Sequence, residues 1–281
     1  MKKYLGTLTL LCLFSFASIA QQKDSTKHHG FFKFIKNGSY YGSWGYNEES
    51  YTHSNLYVVQ PSIGNNLEYQ NITAHDRIGW DNLFNNQPTI PQYNYRLGYF
   101  FNEKQDWAIE LNFDHTKYVA TQGYYVRVTG QLGGKSINKN VMISDSTLRY
   151  QLNNGANFFL FNLVKRLRIV STKNKIFMMD GLLKAGVGPV IPHVDNQIFG
   201  NNNKHQFQFG GGNTGIEAAV KVTIFKHFYA EYCNKLDYAW YYRLEVYDGR
   251  AHQSFGTYEN ILNIGYTTHL NLKSKMAPAP L

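Results

Sequence analysis

Cysteine is almost missing from this chain of 281 residues: there are two, Cys12 and Cys233. Cys12 falls inside an apolar N-terminal run, so a chain processed after that run keeps one thiol. That excludes an internal disulfide and any thiolate metal cluster. Leu11 precedes Cys12 where a lipidation signal needs a small residue, which argues against a lipid anchor. Long apolar runs are missing as well. Past the N-terminus no stretch approaches the roughly 20 apolar residues of a membrane helix, and the mean hydropathy is −0.41. A helical membrane protein is excluded, but a barrel is not, because its strands alternate lipid-facing and lumen-facing residues and average out as soluble. Lys and Arg outnumber Asp and Glu by 28 to 19 but form no cluster, so nucleic acid is not an expected partner. Gly210-Gly211-Gly212 is followed by no Gly-Lys-Ser/Thr, so it is no phosphate loop. No cofactor and no metal site are expected.

What is present begins with Met1-Lys2-Lys3, an apolar run from Tyr4 to Phe16, and Ala17-Ser18-Ile19-Ala20. A basic start, a short apolar stretch and small residues before a cleavage point describe a secretory signal over 1–20. Without Lys2 and Lys3 the 28 basic residues become 26 against 19 acidic ones, a net charge of about +7. Residues 21–38 read as a leader or a short amphipathic segment, 39–271 as a barrel, and 272–281 as a disordered tail. Aromatics are abundant, with 22 Tyr, 19 Phe and 4 Trp. Such rings collect at the two membrane interfaces, where one side is wet and the other greasy.

From Ser39 onward apolar residues recur with period two. In 105–117, Trp107, Ile109, Leu111 and Phe113 alternate with Ala108, Glu110, Asn112 and Asp114. In 91–101, Tyr93, Tyr95, Leu97 and Tyr99 oppose Asn94, Arg96 and Gly98. The same alternation marks 40–47, 157–169, 175–190, 213–226, 227–243 and 257–270, which makes eight segments. Short turns at 102–104, 171–174 and 225–227 alternate with long connections at 48–90, 119–155, 191–212 and 245–256, as in an up-and-down outer-membrane barrel. The expected fold is all-β: a transmembrane antiparallel β-barrel of about eight strands, or ten if 124–129 and 141–152 join the wall rather than form a hairpin above it. A soluble sandwich or lipocalin-like barrel is the alternative, with the apolar face inside.

Pairing of the polar faces favours the membrane barrel. A turn about Lys226 sets Glu217 opposite Lys235 and Lys221 opposite Glu231, and a turn about Glu103 sets Arg96 opposite Glu110. Opposed charges in one hairpin describe a lumen filled by ion pairs, with no open channel. His75-Asp76-Arg77, Asp114-His115, His193 with Asp195, and Asp248-Arg250-His252 fall at the expected extracellular ends. They are candidates for a binding mouth, although polar residues are also ordinary in exposed loops. Expected partners are outer-membrane lipid, lipopolysaccharide or a protein; the oligomeric state is not legible.

Two resemblances carry further expectations. Gly42-Ser43-Trp44-Gly45-Tyr46-Asn47, Ala74-His75-Asp76-Arg77, Pro91-Gln92-Tyr93-Asn94-Tyr95-Arg96-Leu97-Gly98-Tyr99 and Phe225-Lys226-His227-Phe228-Tyr229 resemble small outer-membrane barrel proteins of Bacteroidota. That likeness implies location and fold and lends no catalytic residues. His252-Gln253-Ser254 with Glu259 is similar to the His-x-Ser pair and nearby Glu of lipid A deacylases. It implies, as an alternative, an outer-leaflet lipid A-modifying enzyme (deacylase or acyltransferase). Here, however, the pair falls in an expected loop, where the family carries it on a lipid-facing strand.

Overall fold

Period-two alternation commits each segment to an extended strand with one face for each solvent, and the computed structural model, which describes residues 38–77, 91–101 and 106–269, shows where those faces point. Eight long strands close into a ring: β1 (Ser39–Tyr51), β2 (Tyr93–Phe100), β3 (Trp107–His115), β4 (Phe158–Ser171), β5 (Phe177–Val190), β6 (Gly211–Ile224), β7 (Phe228–Val246) and β8 (Gly249–His269). Each pairs antiparallel with its neighbours in the chain, and β1 closes on β8 with Ser39 opposite His269 and Tyr51 opposite Thr257. Closure leaves the wall without an unpaired edge. The signal segment, the leader, the 102–104 turn and the tail lie outside the described residues.

Facing follows the sequence through the lower part of the ring. On β3, Leu111 is exposed and Asn112 fully buried, and on β6, Val220 is exposed and Lys221 buried. The outward set is a belt of Leu97, Ile109, Leu163, Ile216, Leu236 and Leu262, all exposed. Aromatic pairs flank this belt at two levels. Tyr40–Tyr99 and Phe228–Tyr266 stand at the short-turn end, and Tyr93–Tyr95, Phe113–Phe159 and Tyr238–Trp240 at the other.

The register was legible in one hairpin and displaced in another. Phe225 and Lys226 adopt positive φ, and the resulting tight turn sets Glu217 opposite Lys235 and Lys221 opposite Glu231, as the turn about Lys226 requires. Across β2 and β3, however, Arg96 stands opposite Asn112, and Glu110 opposite Gly98. The expected Arg96–Glu110 register is thus two residues off. A slip of two keeps every side chain on its face, so the lumen composition survives the error.

Among the described residues the long connections are largely strand. Strands Ser54–Gln60 and Asn65–Ile72, Tyr125–Leu132 and Lys135–Met142, Leu148–Leu152 and His193–Ile198 continue the sheet above the ring, while β7 and β8 run 19 and 21 residues. Segments 124–129 and 141–152 therefore add to this extension, and the ring stays at eight. In the extension the polarity inverts. Leu56, Val58, Leu67, Tyr69, Val128, Leu148, Tyr150, Val194, Tyr241 and Phe255 are buried together as one apolar core, each large side chain contributing about 1.5–3 kcal/mol. A bulge between Tyr241 and Leu244 on β7 shifts the register at this level, bringing Leu244 and Val246 into the core.

This facing generates a test. Arg at a lipid-facing midplane position costs about 2–4 kcal/mol in such barrels. Leu111→Arg and Val220→Arg are expected to lose that much stability or to fail to insert, while Asn112→Leu is milder. Denaturant unfolding in lipid vesicles reads the difference, and wild-type folding in plain buffer would contradict it.

Candidate functional site

Polar residues that share inward parity on eight strands must meet in the ring's interior, and they do so in layers. Along β7 the inward residues rise from Tyr229 through Glu231, Cys233, Lys235 and Asp237 to Ala239 and Tyr241, all buried. The floor is apolar: Tyr41, Phe100, Val164, Leu182, Tyr229 and Ile261 pack together. Two of its rings lie flat over glycines of the next strand. A Cβ on Gly98 would sit 2.1 Å from the Tyr41 ring, and one on Gly265 would sit 2.3 Å from that of Tyr229. Only glycine admits these rings.

Above the floor lie two charge clusters. Lys184 Nζ is 3.1 Å from Glu110, 2.9 Å from Glu217 and 2.7 Å from Glu231. Arg96 is 3.2 Å from Glu110 and 2.7 Å from Glu217. Tyr41 Oη donates to Glu110 at 2.8 Å, and Asn162 Nδ2 donates to it at 3.1 Å. Higher up, Lys235 binds Asp114, Asp237 at 2.8 Å and Glu259 at 3.2 Å.

The expected pairs are thus redistributed. Arg96 and Glu110 do meet, but Glu217 goes to Arg96 and Lys184 instead of Lys235. Glu231 goes to Lys184 instead of Lys221. Lys221 Nζ instead lies 3.7 Å from the centre of the Tyr229 ring and 4.9 Å from that of Tyr41. The physical reason is reach: a narrow ring lets a long side chain cross the lumen to strands that are not its neighbours. Lys184 and Asp237 carry much of the network and were not singled out, although both share the inward parity. Glu217, Glu231 and Cys233 also offer ligand atoms within 4.8 Å of one another, but their carboxylates are held by Lys184 and Arg96. A metal there would have to displace cations.

The expected binding mouth is not assembled. The apolar core of the extension stands over the ring, and the candidates scatter around it. Asp114 points into the lumen to Lys235. His115, on the outer face, stacks on Tyr93 with ring centres 4.7 Å apart. Asp76 accepts the Glu49 amide at 2.8 Å and so caps a strand end, while His75 and Arg77 are exposed beside it. Asp195 lies within ion-pair distance of Arg149, at 3.2 Å, and of His205, at 3.1 Å. Burial and nearby His205 hold His193 below the usual imidazole range.

The His252–Ser254–Glu259 arrangement fails on parity. His252 and Ser254 are exposed on the outer face, His252 stacking on Tyr57 with ring centres 4.6 Å apart. Glu259 is fully buried inside with Lys235. An odd separation along an unbroken strand puts the wall between nucleophile pair and carboxylate.

The network itself is testable. Lys184→Met leaves three carboxylates short of a cation and is expected to destabilise the barrel by about 3–5 kcal/mol. Glu231→Gln in the same chain removes the carboxylate whose ion partner was Lys184 and should recover much of the loss. No recovery in vesicle unfolding experiments would show that Glu231 and Lys184 do not act as a pair.

No family model matches the chain, and no curated relative matches it. Among solved structures, Neisserial surface protein A is 8% identical, with a TM-score of 0.36 over 81% of this chain and 96% of that one. OprG of Pseudomonas aeruginosa is 11% identical, with a TM-score of 0.34 over 84% and 97%. Ail, the attachment invasion locus protein of Yersinia pestis, is 14% identical, with a TM-score of 0.32 over 82% and 99%. These neighbours are small outer-membrane β-barrel proteins, too distant to lend this chain an activity, and its class rests on its own strand pairing: an eight-stranded antiparallel β-barrel.

Proposed function

We propose that this chain is an integral outer-membrane protein that does not conduct and that works through its extension, presented outside the cell to a lipid, ligand or protein. The observation that carries this reading is the inversion of polarity along single strands. Below, the wall is apolar outward and charged inward, which suits hydrocarbon; above, it is apolar inward and polar outward, which suits water. The secretory signal over 1–20 accounts for export. Among the described residues, Lys184, Arg96 and their carboxylates cross the lumen under a buried apolar core, which supports a filled interior.

The binding surface proposed is the hairpin Tyr125–Leu132 and Lys135–Met142. Arg127, Lys135 and Lys139 are exposed on it, and it carries no acidic residue. Lys135–Met142 pairs only with its hairpin partner among the described residues, so one edge faces outward. A basic edge fits an anionic partner, and lipopolysaccharide phosphate is the anion abundant at that surface.

Two outcomes are expected. The mature protein should fractionate with outer membranes, migrate in a heat-modifiable manner and give no channel steps in planar bilayers; osmotic-shock release or steady conductance would overturn the reading. Arg127→Glu with Lys135→Glu and Lys139→Glu should leave fractionation intact while weakening association with lipopolysaccharide. Unchanged association would remove the hairpin from the role.

A further inference from the structure

Among the described residues, the end of the lumen opposite the extension carries a strongly basic cavity. Beneath the apolar floor lies a vestibule of about 500 Å³, lined among the described residues by Arg166, Arg168, Lys173, Lys175, Lys221 and Lys226 against Asp106 and Asp180. Both carboxylates are taken: Arg166 is 2.8 Å from Asp106, and Arg168 binds Asp180. The tight turns at 172–176 and 225–227 form part of its rim.

Lys221 separates this cavity from an ordinary basic rim. It is only 4% exposed, yet it lines the vestibule. Among the described residues no carboxylate lies within ion-pairing distance of its ammonium. Asp180 and Glu231 stand opposite it on the two neighbouring strands but bind Arg168 and Lys184 instead. Its ammonium lies 3.7, 4.9 and 5.8 Å from the ring centres of Tyr229, Tyr41 and Phe100. A buried ammonium whose neighbouring carboxylates are ion-paired to other cations is only partly compensated, and rings offset only part of the remaining cost. An anion seated in the vestibule would supply the missing charge. The flanking chain is itself mostly basic: Lys23, Lys27, Lys33 and Lys36 against Asp24 precede β1, Lys104 stands beside Glu103 between β2 and β3, and Lys273 and Lys275 follow β8.

We propose that this vestibule is an anion site for a phosphate-bearing ligand, closed above by the Tyr41–Phe100–Tyr229 floor so that it binds without transit. Phosphate chemistry suits the donors, since lysines serve it as point charges and Lys173 and Lys226 are exposed on the rim. The membrane reading decides only which compartment the mouth faces, and binding can be measured without it. The phosphate could belong to a soluble anion or to a phospholipid headgroup, and two arms distinguish them.

Protein refolded in dodecyl maltoside is titrated with inorganic pyrophosphate by calorimetry. Protein in nanodiscs of phosphatidylcholine with phosphatidylglycerol is examined by native mass spectrometry for retained lipid. Saturable, salt-sensitive binding in either arm is expected, and Lys221→Met should weaken it about tenfold, the effect of losing one charge-assisted contact. Lys173→Gln with Lys226→Gln should weaken it too, which keeps a test in hand if Lys221→Met does not refold. Absence of binding in both arms would overturn the site. So would binding unchanged in Lys221→Met, which marks general attraction to a basic rim or annular lipid. Heat-modifiable migration of the same samples reports on the barrel separately.

Discussion

Charge cannot face hydrocarbon, and in an eight-stranded ring it has one other place to go. Most charged residues of the ring turn inward, Lys165 over the outward Trp107 ring being an exception, and the lumen is too narrow to hydrate them freely. The interior then has to satisfy itself. Lys184 and Lys235 do so as hubs, each within reach of three carboxylates drawn from several strands. Because these contacts cross the lumen, they tie together strands that share no backbone hydrogen bonds. The network therefore braces the ring against ovalisation in a way the ladder alone does not.

The same constraint explains what was legible. Parity along a strand is a local property, so the facing of Leu111 and Asn112, or of Val220 and Lys221, could be read directly. Register depends on a turn. It was readable at Phe225–His227, where two positive-φ residues make a short connection, and it slipped by two across β2 and β3. Side-chain partners depend on three-dimensional reach. That is why Glu217 was matched to Lys235 by register and is found with Arg96 and Lys184 by geometry. The Ser254 and Glu259 candidates fell to the same parity rule that located the strands.

The extension was hidden for a different reason. Leu56, Val58, Leu67 and Tyr69, or Leu148, Tyr150 and Leu152, alternate as regularly as the ring strands do. Segments 124–129 and 141–152 were legible as strands, expected as a hairpin above the ring or as part of its wall. The turns and polar neighbours of the other segments made them look like long loops, because a soluble sheet has the opposite facing and no aromatic belt to announce it. Sequence alternation reports that a strand has two faces. It does not report which solvent each one meets.

The polarity inversion along β7 and β8 also has a mechanical meaning. A polypeptide whose outer surface is greasy below one level and wet above it has a single depth in a bilayer at which both halves are satisfied. Moving it either way exposes Leu and Ile to water or polar side chains to lipid. Once the extension has folded above the ring, its polar exterior resists withdrawal through hydrocarbon. On the membrane reading proposed above it acts as a flange, one that would hold the barrel in place against forces applied from outside.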